Sequence, residues 1–321
     1  MTPAAAQPAR DAAAGLLLGV DGGGTKTTAC LAVDRPGAEP RVLGRGSAGS
    51  SNPRAVGTAA AQDAVRAALE TAWQGAGLPP QRARAAVLAI AGAGSEPLRS
   101  AMLAWIRGAD LAERFDLAHD ADAVLAASGR ETGVALIAGT GSSAVGVAPD
   151  GRRVAVGGWG WRWGDEGGAY WIGLEALRCV TQADDGRAAA TSLAAAFCAA
   201  WQADAPRLLL AACEARPDVR RAIADLAPLV AEQAAAGDAA AARILQRAGV
   251  ELARLADAAA ERLHWTGRLP LAVAGGVAVG VPAVRSAIEA ELAARGWALE
   301  PVAVVGEPVL GCLRLAARLA G

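Results

Sequence analysis

The chain has 321 residues, of which 53% are hydrophobic, and a formal net charge of -1, enough length for two medium domains with cores of their own. So even a charge balance offers no broad basic face to nucleic acid or to an anionic membrane, which excludes both as expected partners; any phosphate must be gripped locally. Five cysteines, Cys30, Cys179, Cys198, Cys213 and Cys312, are scattered through apolar runs without a Cys-x-x-Cys pair, and His119 and His264 are the only histidines. The pattern reads as small buried hydrophobes of a reduced compartment and argues against a zinc or iron–sulfur centre.

In chain order, residues 1–14 are Ala- and Pro-rich and are expected to be disordered. The apolar run 16–20 reaches Asp21 too soon to be a signal peptide or anchor. Later uncharged stretches, 188–203 and 269–284, fall short of the roughly 18 apolar residues a spanning helix needs. A cytoplasmic protein without a membrane segment is therefore expected. Residues 15–20, the turn Asp21-Gly22-Gly23-Gly24-Thr25 and residues 27–33 read as strand, glycine turn, strand, with a third strand over 41–45. Apolar residues at helical spacing predict a helix over 53–73, and residues 85–90 form a run typical of a buried strand. Helix, strand and helix follow, the last two over 115–119 and 122–128.

At Gly133 the pattern begins again. GVALIAGTGSSAVGVAPDG repeats the logic of GLLLGVDGGGTKTTACLAVD, an apolar run, a small-residue turn and a second apolar run; the echo predicts two related halves. Residues 165–263 are Ala- and Leu-rich, with Leu245, Ala248, Leu252, Leu255, Ala259 and Leu263 on one stripe, and predict a helical block. A buried strand over 269–274 breaks at Gly275-Gly276, a helix over 281–295 and a strand over 297–305 follow, and Pro308 opens a closing helix.

Several stretches carry chemistry. In Asp21-Gly22-Gly23-Gly24-Thr25, residues without side chains let backbone N–H groups approach a phosphate, and Thr25 adds a hydroxyl. The turn lacks the spacing of a Walker loop, and the alternative is a plain hairpin turn. Gly139-Thr140-Gly141-Ser142-Ser143 is its counterpart, and two such turns facing each other across a cleft could clamp a nucleotide. Lys26, the single lysine of the chain, lies beside the first turn; taken alone, it reads first as a solvated hairpin residue in an arginine-biased composition. Asp120, behind the apolar segment 115–118, would lie at the carboxyl end of a strand, where it could accept a hydroxyl proton as general base; the alternative is a cap for the helix starting near residue 122. In GGWGWRWGDEGG, residues 157–168, tryptophans threaded with glycines predict a shaped loop that suits a sugar, with a ring against its CH face and Asp165 accepting from its hydroxyls. The alternative is a core-filling tryptophan cluster with Asp165-Glu166 favouring the next helix N-terminus, and some of the tryptophans are expected in the core.

Together the stretches GVDGGGTKT, GSSNP, AHDADA, LIAGTGSSAVGV, GGWGWRWGDEGGAYWIGLEAL and LAVAGGVAVG resemble the N-acetylglucosamine kinases and the BadF/BadG-type ATPases, within the superfamily of sugar kinases, actin and heat-shock chaperones. The resemblance covers nearly the whole chain. It implies an α/β protein of two ribonuclease-H-like (actin-like ATPase) domains around a nucleotide cleft, the second carrying a large helical insertion. The domains are placed at 15–122 plus 307–321, and at 123–306. It implies ATP and Mg2+ as cofactors, with Asp21, Gly23, Gly24, Thr25, Lys26, Thr140, Gly141, Gly275 and Gly276 at the nucleotide and Asp21 holding the metal through water. Asp120 would be the catalytic base, and Asn52, Asp120, Ser142, Ser143, Gly158, Trp159 and Asp165 would meet the substrate. The implied reaction phosphorylates an amino sugar at the 6-hydroxyl, N-acetylglucosamine first, with glucosamine or N-acetylmuramic acid as alternatives. From other classes stand a reductase-activating ATPase, against which no cysteine lies in a glycine-rich loop, and a non-catalytic sugar sensor. A homodimer is the expected assembly. Two departures bear on the choice of sugar: family kinases often carry Asn-Asp or Thr-Asp where this chain has His119-Asp120, and often Asn at the position of Ser143.

Overall fold

The computed structural model of the chain describes residues 15–321, and the expected disorder of residues 1–14 lies outside them. The described residues divide into two compact units, one running to Glu131 and completed by Glu307–Gly321, the other Thr132–Gly306.

In the first unit the run β1 (Leu16–Gly22) folds back on β2 (Thr27–Val33), pairing Gly22 with Thr27 and leaving a four-residue turn, Gly23 to Lys26. β3 (Arg41–Ala48) continues past the predicted 41–45 because its pairing with β2 holds as far as Ala48 opposite Thr27. The predicted helix over 53–73 is two helices, α1 (Pro53–Val56) and α2 (Thr58–Ala76). Gly57 lies between them at φ 83°, a value no helix residue adopts. β4 (Ala83–Ile90) then lies parallel to β1, α3 (Glu96–Gly108) follows, β5 (Ala112–Ala118) lies parallel to β4, and α4 (Asp120–Ala127) closes the series. The sheet order is β3-β2-β1-β4-β5.

Strand periodicity explains why β1 is apolar throughout. Leu16, Leu18 and Val20 point to one face, where they pack with Val65, Leu69 and Trp73 of α2 and with Met102 and Ile106 of α3. Leu17 points to the other, against Val309, Cys312, Leu313 and Ala316 of the C-terminal helix Pro308–Ala320. That helix therefore belongs to the first unit although 175 residues of the second, Thr132–Gly306, precede it. Its fit depends on Gly311, where an added Cβ would stand 1.8 Å from the Ala123 carbonyl oxygen of α4.

The second unit repeats the plan with β6 (Gly133–Ala138), β7 (Ser142–Val147) and β8 (Arg153–Gly157), antiparallel in turn. A helical block then intervenes: α5 (Ala169–Asp184), α6 (Leu193–Trp201), α7 (Leu209–Glu214), α8 (Val219–Ala224), α9 (Ala227–Ala235) and α10 (Ala239–Arg262). β9 (Leu271–Ala274) returns parallel to β6, α11 (Gly276–Gly280) and α12 (Pro282–Ala294) follow, and β10 (Ala303–Val305) lies parallel to β9. The order β10-β9-β6-β7-β8 matches that of the first sheet strand for strand. Leu245, Ala248, Leu252, Ala259 and Leu263 of the predicted stripe are buried, and Leu255 packs at its margin.

Three boundaries differ from the sequence reading. The predicted strand 297–305 is reduced to β10 and a single bridge between Leu269 and Leu299, because Pro301 supplies no N–H to a ladder. The predicted helix 281–295 starts at Pro282 and is preceded by the short α11. The division between units falls after Glu131, since a boundary at 122 would cut α4, whose Ala123 and Val124 are buried in the first unit. Three cysteines, Cys30, Cys213 and Cys312, are buried; Cys179 and Cys198 are half-buried, and all five are free thiols. Among the described residues no helix is long and apolar enough to cross a membrane.

The contact at Gly311 can be tested by Gly311→Ala. The added methyl group overpacks the α4 interface, and chemical denaturation should show a loss of about 1–3 kcal/mol.

Candidate functional site

The register of the first sheet brings two acidic residues to one end of it. Asp21 of β1 pairs with Ala89 of β4, and Ala89 pairs with Ala118 of β5, so three parallel strands end in line. Asp120 is two residues beyond Ala118, at the first position of α4. Ligands of open α/β sheets gather outside such carboxyl ends. With strands about 4.8 Å apart, backbones of β1 and β5 are about 10 Å apart, near enough for the two carboxyl groups to feel each other. Burial, and secondly the charge of Asp120, pushes the Asp21 carboxyl up to about 7. Burial also raises Asp120, against the opposing pull of the Ala121 N–H at 2.9 Å and of His119. The helix cap itself is His119, whose N–H donates to Asp122 at 3.2 Å. Asp120 therefore is not the cap, and the helix starts two residues earlier than predicted.

The first turn is braced. Gly23 N–H donates to Lys26 O at 2.8 Å, Ser50 Oγ donates to Gly23 O at 3.1 Å, and Thr27 Oγ1 donates to Gly49 O at 2.7 Å. Gly24, Thr25 and Lys26 are exposed at its tip. Asn52 caps α1 by accepting the Arg54 N–H at 3.0 Å. Its Oδ1 occupies the place a Cβ on Gly92 would need, 2.1 Å away, which sets Asn52 against the loop after β4. Ser51, passed over by sequence reasoning, is fully buried beside Gly22 with no partner for its hydroxyl.

The second unit supplies a neutral turn with a carboxylate under it. Gly139 N–H donates to Gly141 O at 3.0 Å, and the first amides of α5 clamp the turn from outside, Ala169 N–H to Gly139 O at 2.8 Å and Tyr170 N–H to Thr140 O at 3.1 Å. Asp165 is 5% exposed and left-handed at φ 64°, an uncommon backbone for a residue with a side chain and one often met at functional sites. It fills the space a Cβ on Gly141 would need, 2.4 Å away. Ser142 N–H donates to Asp165 at 3.3 Å and Ser142 Oγ donates to Glu166 O at 2.7 Å, so the hydroxyl is bound into the loop. Gly158 N–H donates to Ser142 O at 3.1 Å, and Gly158 lies against Ser143. Gly275, at φ 90°, backs onto Ala138 and Gly139, which puts the Gly275-Gly276 turn at the foot of the Thr140 turn.

The tryptophan loop differs from the sequence expectation in two respects. Trp159 and Trp163 are 76% and 82% exposed, and Trp161 is 38% exposed, its ring edge-on to Tyr170 at 5.4 Å with Arg162 stacked 4.9 Å over it. None of the three is core. Asp165 and Glu166 do not cap α5, whose cap is Gly168. Instead Asp165 pairs with Arg220 of α8 at 3.6 Å, and burial still holds its carboxyl above the ordinary range. Arg220, in the helical block and 55 positions downstream, carries no spacing that reading the sequence could have used.

Among the described residues no three His, Cys, Asp or Glu side chains converge as a metal cluster. Mg2+ keeps several waters and takes one or two protein carboxylates beside substrate phosphates, a demand that Asp21 and Asp120 would meet.

Residues 18–310 match the family model of the BadF/BadG/BcrA/BcrD ATPase family. The chain belongs to the BadF/BadG/BcrA/BcrD ATPase family. It is 30% identical over 242 residues to the N-acetyl-D-glucosamine kinase of Dictyostelium discoideum, covering 70% of this chain and 72% of that one. It is 28% identical to the N-acetylmuramic acid/N-acetylglucosamine kinase of Clostridium acetobutylicum, covering 81% and 85%. A crystal structure from Chromobacterium violaceum, provisionally named an N-acetylglucosamine kinase, superposes with a TM-score of 0.74 at 30% identity over 96% of this chain and 99% of that one. Each unit thus has the ribonuclease-H-like arrangement, and the pair is the two-domain fold of the actin-like ATPases.

The raised Asp21 has a consequence for stability. From its ordinary value of 3.8 up to about 7 the folded chain keeps a proton that the unfolded chain has released, so stability falls as pH rises through that window. Asp21→Asn should match the wild type near pH 4 and exceed it at pH 8, by about 4 kcal/mol at most, in denaturant titrations at the two pH values.

Proposed function

We propose that the protein transfers the γ-phosphoryl group of ATP to the 6-hydroxyl of an amino sugar, N-acetylglucosamine first, with Asp120 as general base. The observation that carries the reading is Asp120 itself, a carboxyl group at a strand's carboxyl end whose proton affinity burial has raised, so that it can take a hydroxyl proton. The names of the relatives support the substrate class.

In this reading the sugar hydroxyl attacks the γ-phosphorus, its proton passes to Asp120, and ADP leaves with the bridging oxygen. Thr25 and the exposed amides of its turn, with Lys26, bind phosphate oxygens, as do Thr140 and Gly141. Gly275 and Gly276 let the nucleoside approach the backbone. Mg2+, held through water by Asp21, would neutralise phosphate charge. Positioning supplies most of the catalysis in phosphoryl transfer. Asp165, Gly158 and Asn52 take the sugar's polar edge, and the exposed Trp159 ring stacks on its CH face, while Ser142 and Ser143 shape the wall they share with Gly158. N-acetylmuramic acid is the second candidate, because the Clostridium relative is named for both sugars. The reductase-activating reading finds no support in the cysteines, all of which lie on regular elements, in β2, α5, α6, α7 and the C-terminal helix.

Two measurements test the proposal. Asp120→Asn should cut turnover by about 10²–10⁴ while nucleotide binding is kept; retained turnover would reject Asp120 as the base. ADP release, assayed with N-acetylglucosamine, N-acetylmuramic acid, glucosamine and glucose, should be fastest with an acetylated amino sugar. Release with none of them, alongside sugar binding, would make the chain a sensor.

A further inference from the structure

The helical block of the second unit contains a cluster of positive charge that the proposed reaction leaves unused. Glu175, Arg178, Cys179 and Gln182 recur on one face of α5 at the three- and four-residue spacing of a helix, and Arg243 and Arg247 are one turn apart on α10. These side chains line an open cavity of about 260 Å³ between the two helices, with Arg178, Gln182, Arg243 and Arg247 exposed to solvent. That is below the size of a drug-like site and suits a small metabolite.

The charges in its wall do not balance. Glu175 is the one carboxylate lining the cavity, and both its oxygens are taken, Oε1 by Arg178 at 2.6 Å and Oε2 by Arg247 at 2.9 Å. Arg247 is fixed further by stacking over Trp171 at 5.3 Å. Arg243 makes no hydrogen bond or ion pair with a described side chain; its charge falls on the Cys179 thiol. Asp238, which also acts on that thiol, has its carboxylate saturated by Thr191, Ser192, Ala240 and Ala241, whose donors lie 2.8–3.0 Å away. Three guanidinium groups against one carboxylate leave two positive charges on the lining. A monoanion would cancel half of this. A phosphate monoester carries close to two charges and three strong acceptor oxygens, which guanidinium forks match in pairs.

We propose that the cavity between α5 and α10 binds a small phosphate-bearing metabolite, with Arg243 its principal contact and Arg178 and Arg247 supporting it. The site is separate from the Thr140 turn. Glu175 lies six residues and Gln182 thirteen residues along α5 from Ala169, whose amide clamps that turn, or about 9–20 Å at 1.5 Å per residue. The helix that lines the cavity is therefore the one that holds the turn.

The test is isothermal titration calorimetry on the full-length protein at low ionic strength, with inorganic phosphate and glucosamine 6-phosphate as probes. Wild type, Arg243→Ala, Arg243→Glu and Thr140→Val are compared. An Arg243-dependent binding event should appear in the wild type and persist in Thr140→Val. It should weaken tenfold or more in Arg243→Ala and vanish in Arg243→Glu, and the tighter probe shows whether free phosphate or a sugar phosphate is the better ligand. Sugar-dependent ADP release retained by Arg243→Ala would separate this site from the one proposed for catalysis. Equal binding by wild type and Arg243→Ala, or no binding of either probe to the wild type, would overturn the proposal.

Discussion

Two acids are held where neither is comfortable. Asp21 and Asp120 lie at the carboxyl ends of strands that pair through β4, half-buried, and burial withholds from both some of the solvent that would stabilise their charge. The cost is offset by the apolar packing of β1 on both faces, by α2 and α3 on one side and the C-terminal helix on the other. A sheet buried on two faces can fix a carboxyl group at a strand end in a way that a loop cannot. Ordinary carboxylates would stay ionised there and resist a proton. These two hold a proton more readily.

The second unit answers with structure rather than charge. Its turn carries no carboxylate of its own; the clamp by the first amides of α5 fixes it, and Asp165 sits beneath Gly141. The pairing of Asp165 with Arg220 ties that turn to the helical block between β8 and β9. The same α5 that begins at the turn continues into the arginine-lined cavity.

Much of this was legible in the chain. The two hairpins stand out because long apolar runs meet small-residue turns, and the repetition of the motif gave the doubled architecture. β8 has no counterpart among the predicted elements, since its five residues are all exposed or half-exposed and the alternation of Val154 and Val156 is too short to stand out. Gly57 and Pro301 mark breaks that a search for periodicity smooths over. The tryptophans of residues 157–168 were expected partly in the core because hydrophobicity belongs to a residue alone, whereas burial depends on neighbours that only the fold supplies. Arg220 and Ser51 were missed for the same reason. Their importance is set by what lies against them in space, and no spacing in the sequence encodes it.

The most direct test of this account is a carbon-13 titration of the Asp21 carboxyl group by NMR, repeated in Asp120→Asn. A midpoint near 7 that moves down when the neighbouring charge is removed would bear out a carboxyl group raised by burial and by the charge of Asp120. A midpoint near the ordinary carboxylate value, unchanged by the substitution, would contradict it.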